Sequence, residues 1–206
     1  MATATKLDLH KLHAAEYVKP RRPVLVATKA ARYLTVDGAG DPNGPAFREK
    51  AGALFAMAWT IKMGKKALGQ DFKVPGLEGL WWSSGGDPSR WMIDQSKKSW
   101  RWKLLLRMPD TVKERCLVMA AELLEKKGRD KGIAAVKLER IAEGTCVQML
   151  HVGPYGAEGP TMDAMLAFAK EKGLRFTGRH HEIYLSDPHR TKPEKLKTIL
   201  RHPVKK

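Results

Sequence analysis

Hydrophobic positions along the chain recur with two periods, and the segments in which each holds predict alternating strands and helices. Val24 to Ala27 and the stretch from Arg32 to Val36 are short, apolar and partly β-branched, which predicts two strands. The run from Gly38 to Pro45 is rich in Gly, Pro and Asp and reads as a loop. Pro45 suits the first turn of a helix, where no N–H is needed. Phe47, Ala51, Leu54, Ala58 and Ile61 then step by four and three, the apolar stripe of a helix that Gly64 is expected to end. Residues 65–78 carry no period and read as loop. Leu80-Trp81-Trp82 predicts a short strand, and Ser83 to Ser89 a turn. From Trp100 the pattern alternates, with Trp100, Trp102, Leu104 and Leu106 on one face and Arg101, Lys103 and Arg107 on the other, a strand that stops at Pro109.

The second half repeats this order. Thr111 and Glu114 have the spacing of a capping box, which predicts a helix with Val112, Cys116, Met119 and Leu123 inward and Gly128 as its stop. Ile133 to Arg140 and Thr145 to Val152 predict two strands joined at Glu143-Gly144. Gly153 to Gly159 is a loop. Pro160 opens a helix bearing Met162, Met165, Leu166 and Ala169 on one face and ending at Gly173. His180 to Leu185 is the last predicted strand. Thr191 and Glu194 predict a terminal helix reaching Leu200. Residues 1–20 read as a loosely docked arm ahead of Pro20 and Pro23.

The two halves align on a shared pattern. Gly38-x5-Gly44-Pro45 matches Gly153-x5-Gly159-Pro160, each after a strand and before an amphipathic helix, and LWWS at 80–83 matches IYLS at 183–186. The expected fold is therefore α+β, built from duplicated β-α-β-β units, with antiparallel pairing and helices on one sheet face. The repeats run over about 21–108 and 109–206, forming one domain from 21 to 206 behind the arm at 1–20.

Composition narrows the function. The chain has 206 residues, 43% of them hydrophobic, enough for a real core. No apolar run is long enough to cross a bilayer, and the N-terminus lacks the apolar segment of a signal peptide. Cys116 and Cys146 are then expected as reduced thiols in a cytoplasmic protein. The net charge of +16 is spread along the chain in pairs such as Arg21-Arg22, Lys65-Lys66 and Lys126-Lys127, with no helix-turn-helix or zinc-finger pattern beside them. A solvated basic surface follows, not a specific nucleic-acid site. No metal motif occurs, and no metal or cofactor is expected.

The chemistry concentrates near residues 179–188. Strand alternation puts Glu182 and Tyr184 on one face and His181, Ile183 and Leu185 on the other. If Ile183 and Leu185 pack against the helices, Glu182 and Tyr184 occupy the open face. In the repeat alignment Trp81 matches Tyr184 and Gly79 matches Glu182, so Trp81 joins them, and Trp100 and Trp102 share their strand face. A lone glutamate is usually only solvated; aromatic company changes that, because a desolvated carboxylate has a raised pKa. Such a glutamate can act as a general base or pair with a cation that stacks on the rings. Tyr155, in a tight Gly-Pro-Tyr loop, is placed either to donate to a ligand or to pack on the sheet edge. His180 and His181 face opposite ways and cannot readily share one ion. The helical methionines are core.

The stretches GPY-x3-GPT at 153–161, HHEIYLSDP at 180–188 and WRWKLLLRMPDTV at 100–112 resemble the GyrI-like small-molecule-binding family, in its stand-alone branch similar to cyclopropanoid cyclopropyl hydrolases. The resemblance extends from about Arg21 to Val204. It implies a tandem of SHS2 units, akin to bacterial effector-binding domains, with a ligand cleft between the repeats. It implies a small aromatic or cationic ligand, bound by Trp81, Trp100, Trp102 and Tyr184, with Glu182 and Tyr155 as catalytic residues. The implied reaction is hydrolysis of a cyclopropane conjugated to a dienone in DNA-alkylating compounds, a detoxification. Sequestration without catalysis and an interaction with DNA gyrase are the alternatives that the resemblance also implies.

Overall fold

The computed structural model describes residues 6–83 and 99–206; most of the turn expected over Ser83 to Ser89 lies outside these residues. Among them, nine strands run β1 (Val24–Ala27), β2 (Ala31–Ala39), β3 (Glu78–Ser83), β4 (Trp100–Met108), β5 (Lys137–Ile141), β6 (Thr145–Val152), β7 (Arg175–Phe176), β8 (His180–Tyr184) and β9 (Lys197–Lys205). They form one antiparallel sheet in the order β1-β6-β9-β8-β3-β4-β2-β5, with β7 against the end of β9. The helices are α1 (Leu9–Leu12), α2 (Pro45–Ala67), α3 (Glu114–Glu125) and α4 (Gly159–Glu171).

The order is symmetric about its centre. In β2-α2-β3-β4 and in β6-α4-β8-β9 the third strand inserts between the first two, and β3 and β8 meet in the middle. Gly79 and Glu182, equivalent by the repeat alignment, are paired directly. Trp81 pairs with His180, and its counterpart Tyr184 donates its N–H to Leu77 at 3.1 Å. The two β-α-β-β units are thus related by a pseudo-dyad passing beside Glu182.

Register decides what surrounds that glutamate. Val36, Leu104, Gly79, Glu182, Leu200 and Met149 lie side by side across six strands, and directly opposed residues share a face. α2 and α3 cover the Val36–Leu104 end of this row, and α4 covers the Leu200–Met149 end. The helices therefore lie on the same face as Glu182, contrary to the sequence expectation. Ile183 and Leu185 are apolar for another reason: they pack with Ile199 and Tyr17 on the opposite face.

That face is closed by the N-terminal segment, which is firmly docked. Leu9, Glu16 and Tyr17 are buried, and Leu7 is tied to Asp71 and Lys73 through backbone hydrogen bonds. Asp8 caps α1. Beneath the segment, Arg107 donates to Glu16 at 2.9 Å, Tyr17 to Glu78 at 3.1 Å, and Arg201 to Gln148 at 2.7 Å and Glu143 at 3.0 Å. His181 sits between Glu78 and Glu143, 3.0 Å from each. Burial opposes its protonation, but the two carboxylates more than offset it and raise its pKa to about 9.

Other elements depart from the sequence pattern for local reasons. Residues 197–205 form a central strand, not a helix: alternation of Thr198, Leu200 and His202 against Ile199 and Arg201 fits two neighbouring strands, and only a short 3₁₀ turn, Pro193–Lys195, follows the Thr191 signal. α2 continues through Gly64, where a side chain would meet open space, and ends before Gly69, whose φ of +72° suits a helix terminus. α3 has no capping box; Lys113 precedes it without a side-chain cap. Its buried stripe is Leu117, Ala120 and Leu124, leaving Met119 and Leu123 exposed, as Leu166 is on α4. Ile133–Ala135 is a 3₁₀ turn, and β5 starts at Lys137.

Candidate functional site

Glu182 stands at the seam between the helix layers. Its carboxylate is buried, with 5% of the residue exposed. On its own strand it lies between His180 and Tyr184, and across the sheet between Gly79 and Leu200. Gly79 is what lets the aromatics close over it. A Cβ there would come within 2.8 Å of Trp81 Nε1 and 3.2 Å of the Tyr184 hydroxyl. In that space Trp81 Nε1 donates to the Tyr184 hydroxyl at 3.2 Å, and this hydroxyl donates to Glu182 Oε2 at 2.7 Å. Gly79→Ala is expected to force these rings apart and destabilise the fold by about 1–3 kcal/mol, read by thermal denaturation; unchanged stability would show that the crowding is not real.

The rings form a graded wall. Trp81 stacks with Phe47 at 6.1 Å between centroids and meets Trp100 edge-on at 6.0 Å. Tyr155, on the 3₁₀ turn Tyr155–Ala157 before α4, meets Tyr184 edge-on at 5.5 Å. Trp100 and Tyr155 are partly exposed and make the rim; Trp81 and Glu182 make the floor. Trp102 belongs to a deeper layer. It is fully buried, lies over Gly38, packs edge-on against Phe47 at 5.0 Å and donates to Gly40 O at 3.3 Å. It supports Phe47 and Trp81 from behind. Trp82 faces the other way, under the Arg179 guanidinium at 3.6 Å.

Two acids meet here, not one. Glu158, at the N-cap of α4, does not cap the helix; its side chain turns inward and is buried, with 1% exposed. Its Oε1 finds no hydrogen-bond partner among the described residues. His180 Nε2 is 3.7 Å from Glu182 Oε1, but burial first, then the charges of His202 and His181, hold this histidine well below its ordinary pKa. The contact is therefore not an ion pair near neutral pH. Glu158, His180 and Glu182 each place a ligand atom within 4.8 Å of the others, a donor set able to hold a metal ion. His180 and His181 face opposite sides, as strand alternation requires. Glu158 is not among the residues that the sequence pattern singles out, although a charged residue in the Gly-rich loop 153–159, matching Asn43 of the first repeat, is a usable signal.

Burial raises the Glu182 pKa to about 7, against the lowering effect of the Tyr184 hydrogen bond and the His181 charge. The Glu158 carboxyl is pushed well above its usual range by burial and then by the Glu182 charge. Tyr155 is raised to about 12 by burial and the neighbouring carboxylates, so its hydroxyl remains a donor. A carboxyl with a raised folded-state pKa contributes stability below its unfolded pKa and loses it as pH rises through the folded value. Glu182→Gln is therefore expected to gain stability relative to wild type on going from about pH 5 to about pH 8, by on the order of 1–3 kcal/mol. Urea denaturation at both values checks this, and an equal difference at the two contradicts the raised pKa.

A family model described as "GyrI-like small molecule binding domain" matches residues 107–205. An uncharacterized conserved protein from Listeria innocua has 42% identity and a TM-score of 0.89, over 97% of this chain and 100% of its own. The chain belongs to the GyrI-like small-molecule-binding family. A GyrI-like fold accounts for the nine-stranded sheet and the helices on one face. A hydrolase from Listeria innocua has 41% identity and a TM-score of 0.85, over 97% of this chain and 100% of that one. The EcmrR C-terminal domain, at 10% identity and a TM-score of 0.56 over 90% of this chain and 98% of that one, shares the fold alone. No curated protein sequence matches the chain. No helix among the described residues is long and apolar enough to cross a membrane.

Proposed function

We propose that this GyrI-like protein hydrolyses the strained ring of flat cyclopropane-dienone compounds, with Glu182 activating the water. The carrying observation is a buried carboxylate beside aromatic rings, accepting from the Tyr184 hydroxyl at 2.7 Å; burial raises its pKa to about 7. A base of that pKa is half ionised near neutrality and still accepts a proton effectively. The similar Listeria proteins described as hydrolases support an enzyme over a binder.

The reaction asks little of the protein. Trp81 and Trp100 offer ring faces and edges against which a planar ligand can stack, with Tyr184 beside the acid. Water loses a proton to Glu182 as its oxygen bonds to a cyclopropane carbon. The ring C–C bond breaks, and its electron pair passes through the conjugated ring to the dienone oxygen, which becomes a phenolate. The proton on Glu182 returns to solvent and the phenolate is protonated. A Tyr155 hydroxyl that stays protonated is a suitable donor to the developing oxyanion. Relief of strain and gain of aromaticity lower the intrinsic barrier, so one positioned base contributing about 10²–10⁴-fold is sufficient.

The test is incubation with a spirocyclopropyl dienone while its absorbance is followed. Loss of the dienone band faster than in buffer, with a saturable rate, is the expected result. Saturable quenching of tryptophan fluorescence with an unchanged dienone band would support sequestration instead. The paired acids and rings also suit a cationic aromatic ligand, which tetraphenylphosphonium would test as a competitor.

A further inference from the structure

Two elements bring three donor side chains together at the seam. His180 and Glu182 are i and i+2 on β8, so strand alternation puts both on the helix-covered face. Glu158 enters from the N-terminus of α4. His180 Nε2 lies 3.7 Å from Glu182 Oε1, and one ligand atom from each of the three residues lies within 4.8 Å of the others. The strand period thus pairs His180 with Glu182 and not with His181, which is held by Glu78 and Glu143 on the opposite face. The first repeat carries none of the three donors; Asn43, Leu77 and Gly79 stand at the equivalent positions.

Glu158 supplies the observation that points to a ligand. A carboxylate at a helix N-terminus ordinarily caps the helix or faces solvent, where the dipole favours it. This one is turned inward with 1% of the residue exposed, and its Oε1 has no hydrogen-bond partner among the described residues. Two buried carboxylates this close call for positive charge between them. Neither has a lysine or arginine in salt-bridge contact among the described residues.

We propose that Glu158, His180 and Glu182 form a binding site for one divalent transition-metal ion, with zinc as the best match. Charge selects the valence: two carboxylates and a neutral imidazole sum to −2, which one divalent ion cancels. Donor type selects the class. One imidazole nitrogen with two carboxylate oxygens suits zinc and its neighbours in the first transition row, whereas magnesium and calcium take six or more ligands, nearly all oxygen. Spacing agrees. Ligands on a tetrahedral zinc, with bonds of about 2.1 Å, stand about 3.4 Å apart, close to the 3.7 Å between His180 Nε2 and Glu182 Oε1. Glu158 closes the remaining distance by a side-chain movement on the order of 1 Å. Three protein ligands leave the fourth position to water. An outer shell is already in place: the Tyr184 hydroxyl donates to Glu182 Oε2 at 2.7 Å and is itself held by Trp81 Nε1 at 3.2 Å, which leaves Oε1 toward His180.

The site goes beyond the hydrolase reading and stands without it; only its effect on turnover rests on that reading. An ion on Glu182 occupies the lone pair that would take a proton from water, so zinc and the general base exclude each other.

The experiment uses wild-type protein stripped with EDTA and exchanged into chelator-free buffer. It is titrated with Co²⁺, followed by visible absorbance, and with Zn²⁺ in competition with a chromophoric chelator. One equivalent is expected, with the intense visible bands of four- or five-coordinate cobalt, displaced by zinc. Glu158→Gln keeps the shape of the side chain and should weaken zinc binding by more than about 100-fold, beyond the roughly 10–100-fold that loss of an outer-shell partner costs. Tyr184→Phe should fall within that smaller range. Absence of binding would overturn the proposal, and so would one equivalent that survives Glu158→Gln unchanged, which would mean an ion held elsewhere. Should Glu158→Gln not fold, zinc-edge anomalous scattering from zinc-soaked wild-type crystals decides: a peak between Glu158, His180 and Glu182 is expected, and peaks only at other positions overturn the site. In the dienone assay, one equivalent of zinc should suppress turnover and EDTA should restore it. Full turnover at saturating zinc would take the ion off Glu182 and overturn the proposal. A wild type that binds zinc at these residues but never opens the ring would sink the hydrolase reading and leave the metal site standing.

Discussion

Glu182→Gln is expected to bind a spirocyclopropyl dienone with nearly unchanged affinity and to open its ring about 10²–10⁴-fold more slowly than wild type. The amide keeps the shape of the side chain and can still accept from the Tyr184 hydroxyl, so Trp81 and Tyr184 stay where they are. What disappears is the ability to take a proton from water. A general base acts only in the transition state, so its loss appears in kcat and kcat/KM together and leaves ground-state binding alone. Stopped-flow loss of the dienone band, with tryptophan quenching as the binding readout, checks both halves. Retained turnover would exclude Glu182 as the base. A parallel loss of binding and rate would recast it as a ligand contact.

The largest effect on stability is expected on the other side of the sheet. Arg201 links Gln148, Glu143 and the backbone carbonyl of Glu16, and so ties β6, β9 and the N-terminal segment together. Its guanidinium is almost wholly buried, and Glu143 depends on it and on His181 for charge compensation. Arg201→Leu leaves that carboxylate short of a partner in a dry environment, and breaking a buried pair in this way costs about 3–5 kcal/mol. Urea denaturation should show the loss, and amide exchange in residues 7–17 should accelerate because the segment loses its anchor. A change under about 1 kcal/mol would mean that the network is incidental to the fold.

Much of this architecture was legible in the sequence, and the misses share a cause. Strand alternation is a local property, so Glu182 and Tyr184 were correctly placed on one face and His181 and Ile183 on the other. Which face the helices cover is not local. Ile183 and Leu185 look like core, and they are, but their partners include Tyr17, in the segment that the sequence predicts as a loosely docked arm. The cap spacing of Thr191 and Glu194 predicts a helix up to Leu200, whereas β9 is a central strand that takes its stability from neighbours on both sides. The α3 stripe slipped because apolar residues lie on two of its faces, and only contact with α2 chooses Leu117, Ala120 and Leu124. Glu158 was passed over for the same reason. The loop marks Glu158 as a charge among glycines, but its burial follows only from the docking of α4 on β6, β7 and β9.

The Trp cluster shows the boundary between pattern and packing at a single strand. Trp100 and Trp102 share a face of β4 by alternation, yet one is partly exposed and the other fully covered by α2 and Phe47. Gly38 and Gly79 complete the picture. Each lacks a side chain where a ring takes up the space, Trp102 of the neighbouring strand at the first and Trp81 of the same strand at the second. In the repeat alignment Gly38 matches Gly153, whereas Gly79 stands opposite Glu182.

The most direct test of the proposed chemistry is hydrolysis of the dienone in ¹⁸O-labelled water by wild-type protein, with mass spectrometry of the product. Enzymatic water addition predicts a ring-opened phenol carrying one ¹⁸O on the former cyclopropane carbon, formed faster than in buffer and suppressed in Glu182→Gln. Recovery of the intact, unlabelled cyclopropane from a protein that nonetheless binds it would contradict the hydrolytic account.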